Sequence, residues 1–277
     1  MPYHAGDQRP ASSAGPKRLI DAGAVGVLNR RGHSVIVRGI DRGGPFRDTA
    51  SSAAAVNKAL AEVVAHAHSA GRMPLIVTGS CDSCLGVLAG FDHRGCGAIW
   101  IDAHADFNTP ESTASGFFPG MALAIATGHC YRAYWSQIGD NTPLAEEAIA
   151  MFGVCDLSPE VERERLESSA ISVVRWRDGK PDSAIDAALD RVDQHARDVY
   201  LHIDFDGFAP NIAPGIVDEP VEGGLALADA RLIVRGTCGR FRVRAITFAT
   251  YTPANDKADT TLRLALDLID LIGECIE

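Results

Sequence analysis

Two stretches decide the reading: Ile101-Asp102-Ala103-His104-Ala105-Asp106 and His202-Ile203-Asp204-Phe205-Asp206. Each closes an apolar run that reads as a buried strand, residues 98–101 in the first case and 199–203 in the second. In extended chain, alternate side chains point to one side. Asp102, His104 and Asp106 are therefore expected to face one point beyond a strand end, and Asp204 with Asp206 another. Carboxylates crowded on one face repel each other unless a cation lies between them or one is protonated. Two such strand ends in one parallel sheet would gather four aspartates and a histidine around a single crevice. That donor set, hard oxygen with one imidazole, suits a two-metal site for Mn²⁺.

The surrounding sequence alternates short β-branched runs with helical stretches. Strands are expected at 34–38, 75–78, 98–101, 148–154, 171–174, 199–203 and 243–248. Helices are expected at 53–70, 121–127, 160–168, 181–197, 228–235 and 260–272. Several strands are apolar on both faces, which argues for an α/β fold with a parallel sheet covered on both sides. No linker splits the chain, so residues 1–277 read as a single domain. The irregular stretches 108–118 and 207–224 each follow a strand end, where open α/β sheets bind ligands.

Composition narrows the function. Hydrophobic residues make up 46% and charged residues 22% of the 277, which excludes a disordered or fibrous chain. Lys plus Arg number 26 against 36 Asp plus Glu, a net charge of −10, a poor match to a nucleic-acid backbone. No apolar run is long enough to span a membrane, and the first residues lack a secretory pattern, so a cytoplasmic location is expected. Seven cysteines, an odd number, argue against a disulfide framework. His66, His68 and His195 read as solvated, and so does the charged face from Glu162 to Glu167. His202 is two residues before Asp204 on the same strand face, in reach of a supporting role behind the metal ligands.

Asp102-Ala-His-Ala-Asp106 together with Asp204-Phe-Asp206 resembles the ureohydrolase (arginase/agmatinase) superfamily. The resemblance extends to Pro2-Tyr-His-Ala-Gly6, Gly15-Pro16 and Ala22-Gly23, to the ungapped region from Asp102 to Gly120, and to Gly223-Gly224-Leu225. It implies a three-layer α/β/α fold with a mostly parallel sheet of about eight strands and a dinuclear manganese site. The chain begins at the loop that follows the family's first strand, which leaves one sheet position open. The resemblance further implies that Asp102 and Asp204 bridge both metals, that Asp106 completes one shell, and that His104 and Asp206 complete the other. Asp106 and His104 are then the expected catalytic groups. The family's remaining ligand is a histidine, and here the run reads Gly79-Ser80-Cys81-Asp82-Ser83-Cys84-Leu85-Gly86. Counting back from Gly86 puts Cys81 in its place; counting forward from Gly79 puts Asp82 there. The count back is preferred, and a thiolate would weaken Mn²⁺ there relative to Zn²⁺ or Fe²⁺.

The implied reaction is hydrolysis of a guanidino C–N bond. Asn108 and Ser115 stand where arginases hold the substrate α-carboxylate, and Ser158 where they contact the α-amino group. Glu219, in the loop after the second aspartate pair, is a further candidate substrate contact. A loop histidine of the family is Pro119 here, and the glutamate that pairs the guanidinium falls near Thr250, in Phe248-Ala-Thr-Tyr-Thr-Pro253. A hydroxyguanidine is less basic and needs that glutamate less. These departures resemble the branch that hydrolyses Nω-hydroxy-L-arginine in antibiotic biosynthesis. The expected substrate is therefore Nω-hydroxy-L-arginine, or L-arginine, and a homo-oligomer is implied. Other readings are an agmatinase, guanidinobutyrase or formiminoglutamase, or an inactive homologue acting as a binding subunit.

Overall fold

Alternate side chains along the strands enter two separate cores, one on each face of a single sheet. Ala98, Trp100 and Tyr200 enter one; Ile99, Ile101, Leu201 and Ile203 enter the other. The computed structural model describes residues 1–177, 179–216 and 221–276. Among these, the strands are β1 (Leu75–Val77), β2 (Cys96–Ile101), β3 (Ile149–Val154), β4 (Ser172–Arg177), β5 (Lys180–Pro181), β6 (Asp198–Asp204) and β7 (Arg242–Ala249). Their order is β1-β7-β6-β2-β3-β4-β5, and every pairing is parallel except β4 with β5.

Helices cover both faces. Thr49–Ser69, Cys84–Ala89 and Ala122–Ala126 pack on the first core. Ala24–Arg30, Ile185–Asp193, Leu227–Arg240 and Thr260–Cys275 pack on the second. The start of the Thr49–Ser69 helix is set by Asp48, whose side chain accepts from the backbone N–H of Ser51 at 2.8 Å. The three-layer α/β/α arrangement is as the sequence led one to expect.

Among the described residues the sheet has seven strands, in keeping with the expected number of about eight. Two expectations need correction. Residues 34–38 form no strand; Ile36 and Val37 are exposed, and the segment joins no sheet among the described residues. The helix expected over 181–197 is shorter, Ile185–Asp193, because Lys180–Pro181 turns back as β5.

The topology fixes where a site can form. Strands β2 and β6 are neighbours, with Trp100 opposite His202 and Ile101 opposite Ile203. From β2 the chain moves to β3 on one side; from β6 it moves to β7 on the other. The crevice beyond their carboxyl ends is thus a switch point of an open α/β sheet. The loops leaving the two strands are pressed together there. A Cβ on Gly207 would lie 2.9 Å from the Asp102 Cα, so only glycine allows this approach.

Candidate metal centre

The carboxylates converge, but by turns rather than by strand alternation. Strand β2 ends at Ile101, the Asp102–Ala105 segment bends, and Asp106 has a left-handed backbone (φ 49°). The backbone carbonyl of Asp106 accepts from Leu123 and Ala124 N–H, at 3.0 and 3.1 Å, which anchors the bend on the Ala122–Ala126 helix. On the other strand, Asp204 is the last residue of β6, and Asp206 donates its N–H to Asp204 Oδ1 at 2.9 Å within a short 3₁₀ turn. Asp102 Oδ1 accepts from the N–H of His104 at 2.8 Å.

Two groups of donor atoms result, each within 4.8 Å: Asp102, His104 and Asp206, and Cys81, Asp102, His202 and Asp204. In the first, His104 Nδ1 lies 3.3 Å from Asp206 Oδ2 and 3.5 Å from Asp102 Oδ1. In the second, Cys81 Sγ approaches Asp204 Oδ2 at 2.7 Å, and Thr250 donates its hydroxyl to Asp204 Oδ1. Asp106 stands beside both groups, with its Oδ2 buried and lacking a hydrogen-bond partner. Asp82 is directed elsewhere: its carboxylate accepts from Ser80 Oγ at 2.5 Å and from Asn57 Nδ2 at 2.9 Å. Cys84 is packed in the core and bonds the Ala122 carbonyl.

The electrostatics are those of crowded, buried carboxylates. Burial pushes Asp102 up to about 7, the Asp206 charge adds to this, and His104 opposes it. Asp106 and Asp204 are raised far above the carboxylate range by burial and by neighbouring aspartates. Burial also raises the Cys81 thiol. His104 is raised well above its ordinary value: burial opposes this, but Asp206 and Asp102 outweigh it. Asp206 is lowered, because His104 outweighs the cost of its burial. Among the described residues, no lysine or arginine pairs with any of the four aspartates. A buried cluster of acceptors with an orphaned oxygen and a single compensating imidazole fits divalent cations.

The expected substrate contacts differ in exposure. Asn108 is half-buried, its Oδ1 accepting from Ser112 Oγ at 2.9 Å. Ser115 and Ser158 are exposed, and Ser115 Oγ accepts from Phe117 N–H. Glu219 lies outside the described residues. Glu162 requires a correction: its helix was expected to show a solvated face, yet Glu162 is 3% exposed. Its Oε1 accepts from Phe107 N–H at 2.9 Å, while Arg165 donates to the Phe107 carbonyl and to Ser112 Oγ. One helix end thus pins the loop that carries Asn108. Burial pushes the Glu162 carboxyl up to about 7, against the pull of that N–H bond. His68 also departs from the solvated reading, half-buried against Phe91 with a ring separation of 4.9 Å.

A cleft of about 210 Å³ adjoins the site, lined by Cys155, Trp176 and three arginines, Arg163, Arg175 and Arg177. The Cys155 N–H donates to the carbonyl of Ala103, between Asp102 and His104, so the cleft abuts the carboxylates.

The Arginase family model matches residues 1–273. The chain belongs to the arginase family. An arginase of Brevibacillus brevis is 29% identical over 98% of this chain and 95% of its own length. The N(omega)-hydroxy-L-arginine amidinohydrolase of Streptomyces lavendulae is 25% identical over 76% of this chain and 73% of its own. The crystal structure of Bacillus subtilis arginase superposes with a TM-score of 0.87 at 27% identity, covering 98% of this chain and 95% of that one. Arginase-family members are metal-dependent hydrolases of guanidino compounds, and this chain is an enzyme of that class. No helix among the described residues is long and apolar enough to cross a membrane.

Proposed function

We propose that this arginase-family enzyme hydrolyses the guanidino C–N bond of an arginine-like amino acid, with Nω-hydroxy-L-arginine its preferred substrate, giving hydroxyurea and L-ornithine. The observation that carries the reading is the buried convergence of Asp102, Asp204 and Asp206 with His104, with Asp106 buried beside them and, among the described residues, no lysine or arginine paired with any of the four aspartates. Asp102, Asp204, Asp206, Asp106, His104 and Cys81 would hold two divalent metal ions, manganese in the family, with Cys81 weakening its position for that ion. Asp82, engaged by Ser80 and Asn57, is not a ligand in this reading. When bound, such ions supply Lewis acidity that brings the pKa of a water toward neutrality.

The protein's own groups supply the rest. Asp106 Oδ2, buried and unpartnered, is the acceptor for the proton released as water attacks the guanidino carbon, and returns it to the departing amine of ornithine. His104, at the mouth of the site with 38% of its side chain exposed, is the other group able to exchange a proton with solvent. Pro119 offers no such exchange.

Substrate choice follows from charges near the opening. Asn108 and Ser115 receive the α-carboxylate and Ser158 the α-amino group. The arginines of the adjoining cleft favour a substrate with an anionic end, which agmatine lacks. Thr250 hydrogen-bonds Asp204 and offers no carboxylate to a guanidinium, which removes the advantage of a fully cationic substrate. The enzyme is read as cytoplasmic and homo-oligomeric. The test is a substrate panel with urea and hydroxyurea detection. A higher kcat/KM for Nω-hydroxy-L-arginine than for L-arginine, with agmatine poor, is expected; arginine superior at every pH, or agmatine superior to both, would overturn the substrate assignment.

A further inference from the structure

We infer that His202 is a ligand of the deeper metal position, restoring from strand β6 the imidazole lost where the family's histidine is replaced by Cys81, and that this position takes a borderline ion such as Zn²⁺, Fe²⁺ or Co²⁺ in preference to Mn²⁺. The inference rests on the dinuclear site of the proposed function.

His202 is fully buried, and one of its ring nitrogens falls within 4.8 Å of donor atoms of Cys81, Asp102 and Asp204. Nδ1 is engaged by the Tyr200 hydroxyl at 2.7 Å, while Nε2 is buried and has no hydrogen-bond partner. A buried polar atom without a partner is costly and needs a reason. The ring has no freedom to find another: it stacks on Trp100 with centroids 3.8 Å apart and planes 11° apart. Trp100 in turn donates its indole N–H to Asp102 Oδ2 at 3.2 Å, tying the stack to a carboxylate of the cluster. In the tautomer whose Nδ1–H donates to the Tyr200 oxygen, the lone pair sits on Nε2, and a bound ion would select that tautomer. Metal-binding histidines have this arrangement, the second nitrogen held by a fixed partner that sets tautomer and ring plane.

The donor chemistry then separates the two positions. The deep group offers sulfur, imidazole and two carboxylates, which selects zinc-like ions over manganese. The outer group, Asp102, His104 and Asp206, offers two carboxylates and one imidazole with no sulfur, and retains the preference for Mn²⁺.

The test uses full-length protein stripped of metal and reloaded. With Zn²⁺ and Mn²⁺ offered together, the expected content is one of each per chain. Loaded with Co²⁺, the protein should show a thiolate-to-cobalt charge-transfer band and two hyperfine-shifted imidazole N–H resonances, from His104 and His202. His202→Gln should remove one resonance and weaken Zn²⁺ binding by at least about tenfold, leaving the outer ion in place. Cys81→Ser should abolish the charge-transfer band while both imidazole signals persist. A wild-type cobalt protein with two ions and a single imidazole resonance overturns this inference alone, whether or not the variants fold. A wild-type chain that binds no ion at either position overturns the dinuclear reading beneath it.

Discussion

The two sides of the carboxylate cluster share Asp102 yet have little else in common. On the outer side, His104 meets Asp206 and Asp102 at the mouth, with 38% of its side chain exposed. On the inner side, Cys81 and His202 are 5% and 0% exposed, sealed between Trp100 and the core. The outer side is built from loop residues after β2 and β6; the inner side draws on the interior of β6 and the turn after β1. The contrast teaches that one site can hold two ions of different character. Its open half is able to exchange ligands with solvent, and its closed half fixes donors of a different softness.

The largest effect should come from Asp102, the residue common to both sides. Asp102→Ala is expected to release both ions and to reduce hydrolysis to background; full retention of one ion by elemental analysis would break the shared-residue picture. Tyr200→Phe tests the inner side alone. It frees the His202 tautomer and should weaken the deep ion by roughly 10- to 100-fold, with the outer ion unaffected in equilibrium dialysis.

Glu162 belongs to the outer side, because it pins the Asn108 loop. Its carboxyl is raised from 4.5 to about 7 when folded. The folded state therefore keeps a proton that the unfolded state loses between those values, and stability falls as pH rises through that window. Glu162→Gln should remove this contribution, flattening the urea-unfolding profile by on the order of 3 kcal/mol across the window. An unchanged slope would assign the pH dependence to the aspartate cluster. The smallest effect is expected at Asn108. Asn108→Ala should raise KM for amino-acid substrates by about tenfold and leave agmatine unchanged, because a ground-state contact is lost.

Much of this architecture is written in local patterns. The bounds of Glu160–Ser168 and the strands around 98–101 and 199–203 follow from periodicity, and the aspartate pairs stand out because charges at a buried strand end have few benign explanations. What failed depended on neighbours remote in sequence. Residues 34–38 look like a strand but join no sheet among the described residues. Glu162 looks like one charge among several along a helix, yet its burial depends on the backbone of Phe107. His202 gave a sharper clue than its supporting role suggested: a histidine in the middle of an apolar strand, in register with a tryptophan. The inner donor group is visible only once β2 and β6 are paired.

That pairing has a consequence for folding. Trp100 and His202 are adjacent in space but about a hundred residues apart in sequence, so their strands meet only after a long loop closes. Contacts of such high sequence separation are slow to form. The unfolded chain holds none of these donors together, so an ion that binds the finished site draws the whole folding equilibrium toward the native state. At a free ion concentration a hundred times the dissociation constant, one site adds about 2.7 kcal/mol. The melting temperature of this protein should therefore follow the metal content of its buffer, and chelation should lower it.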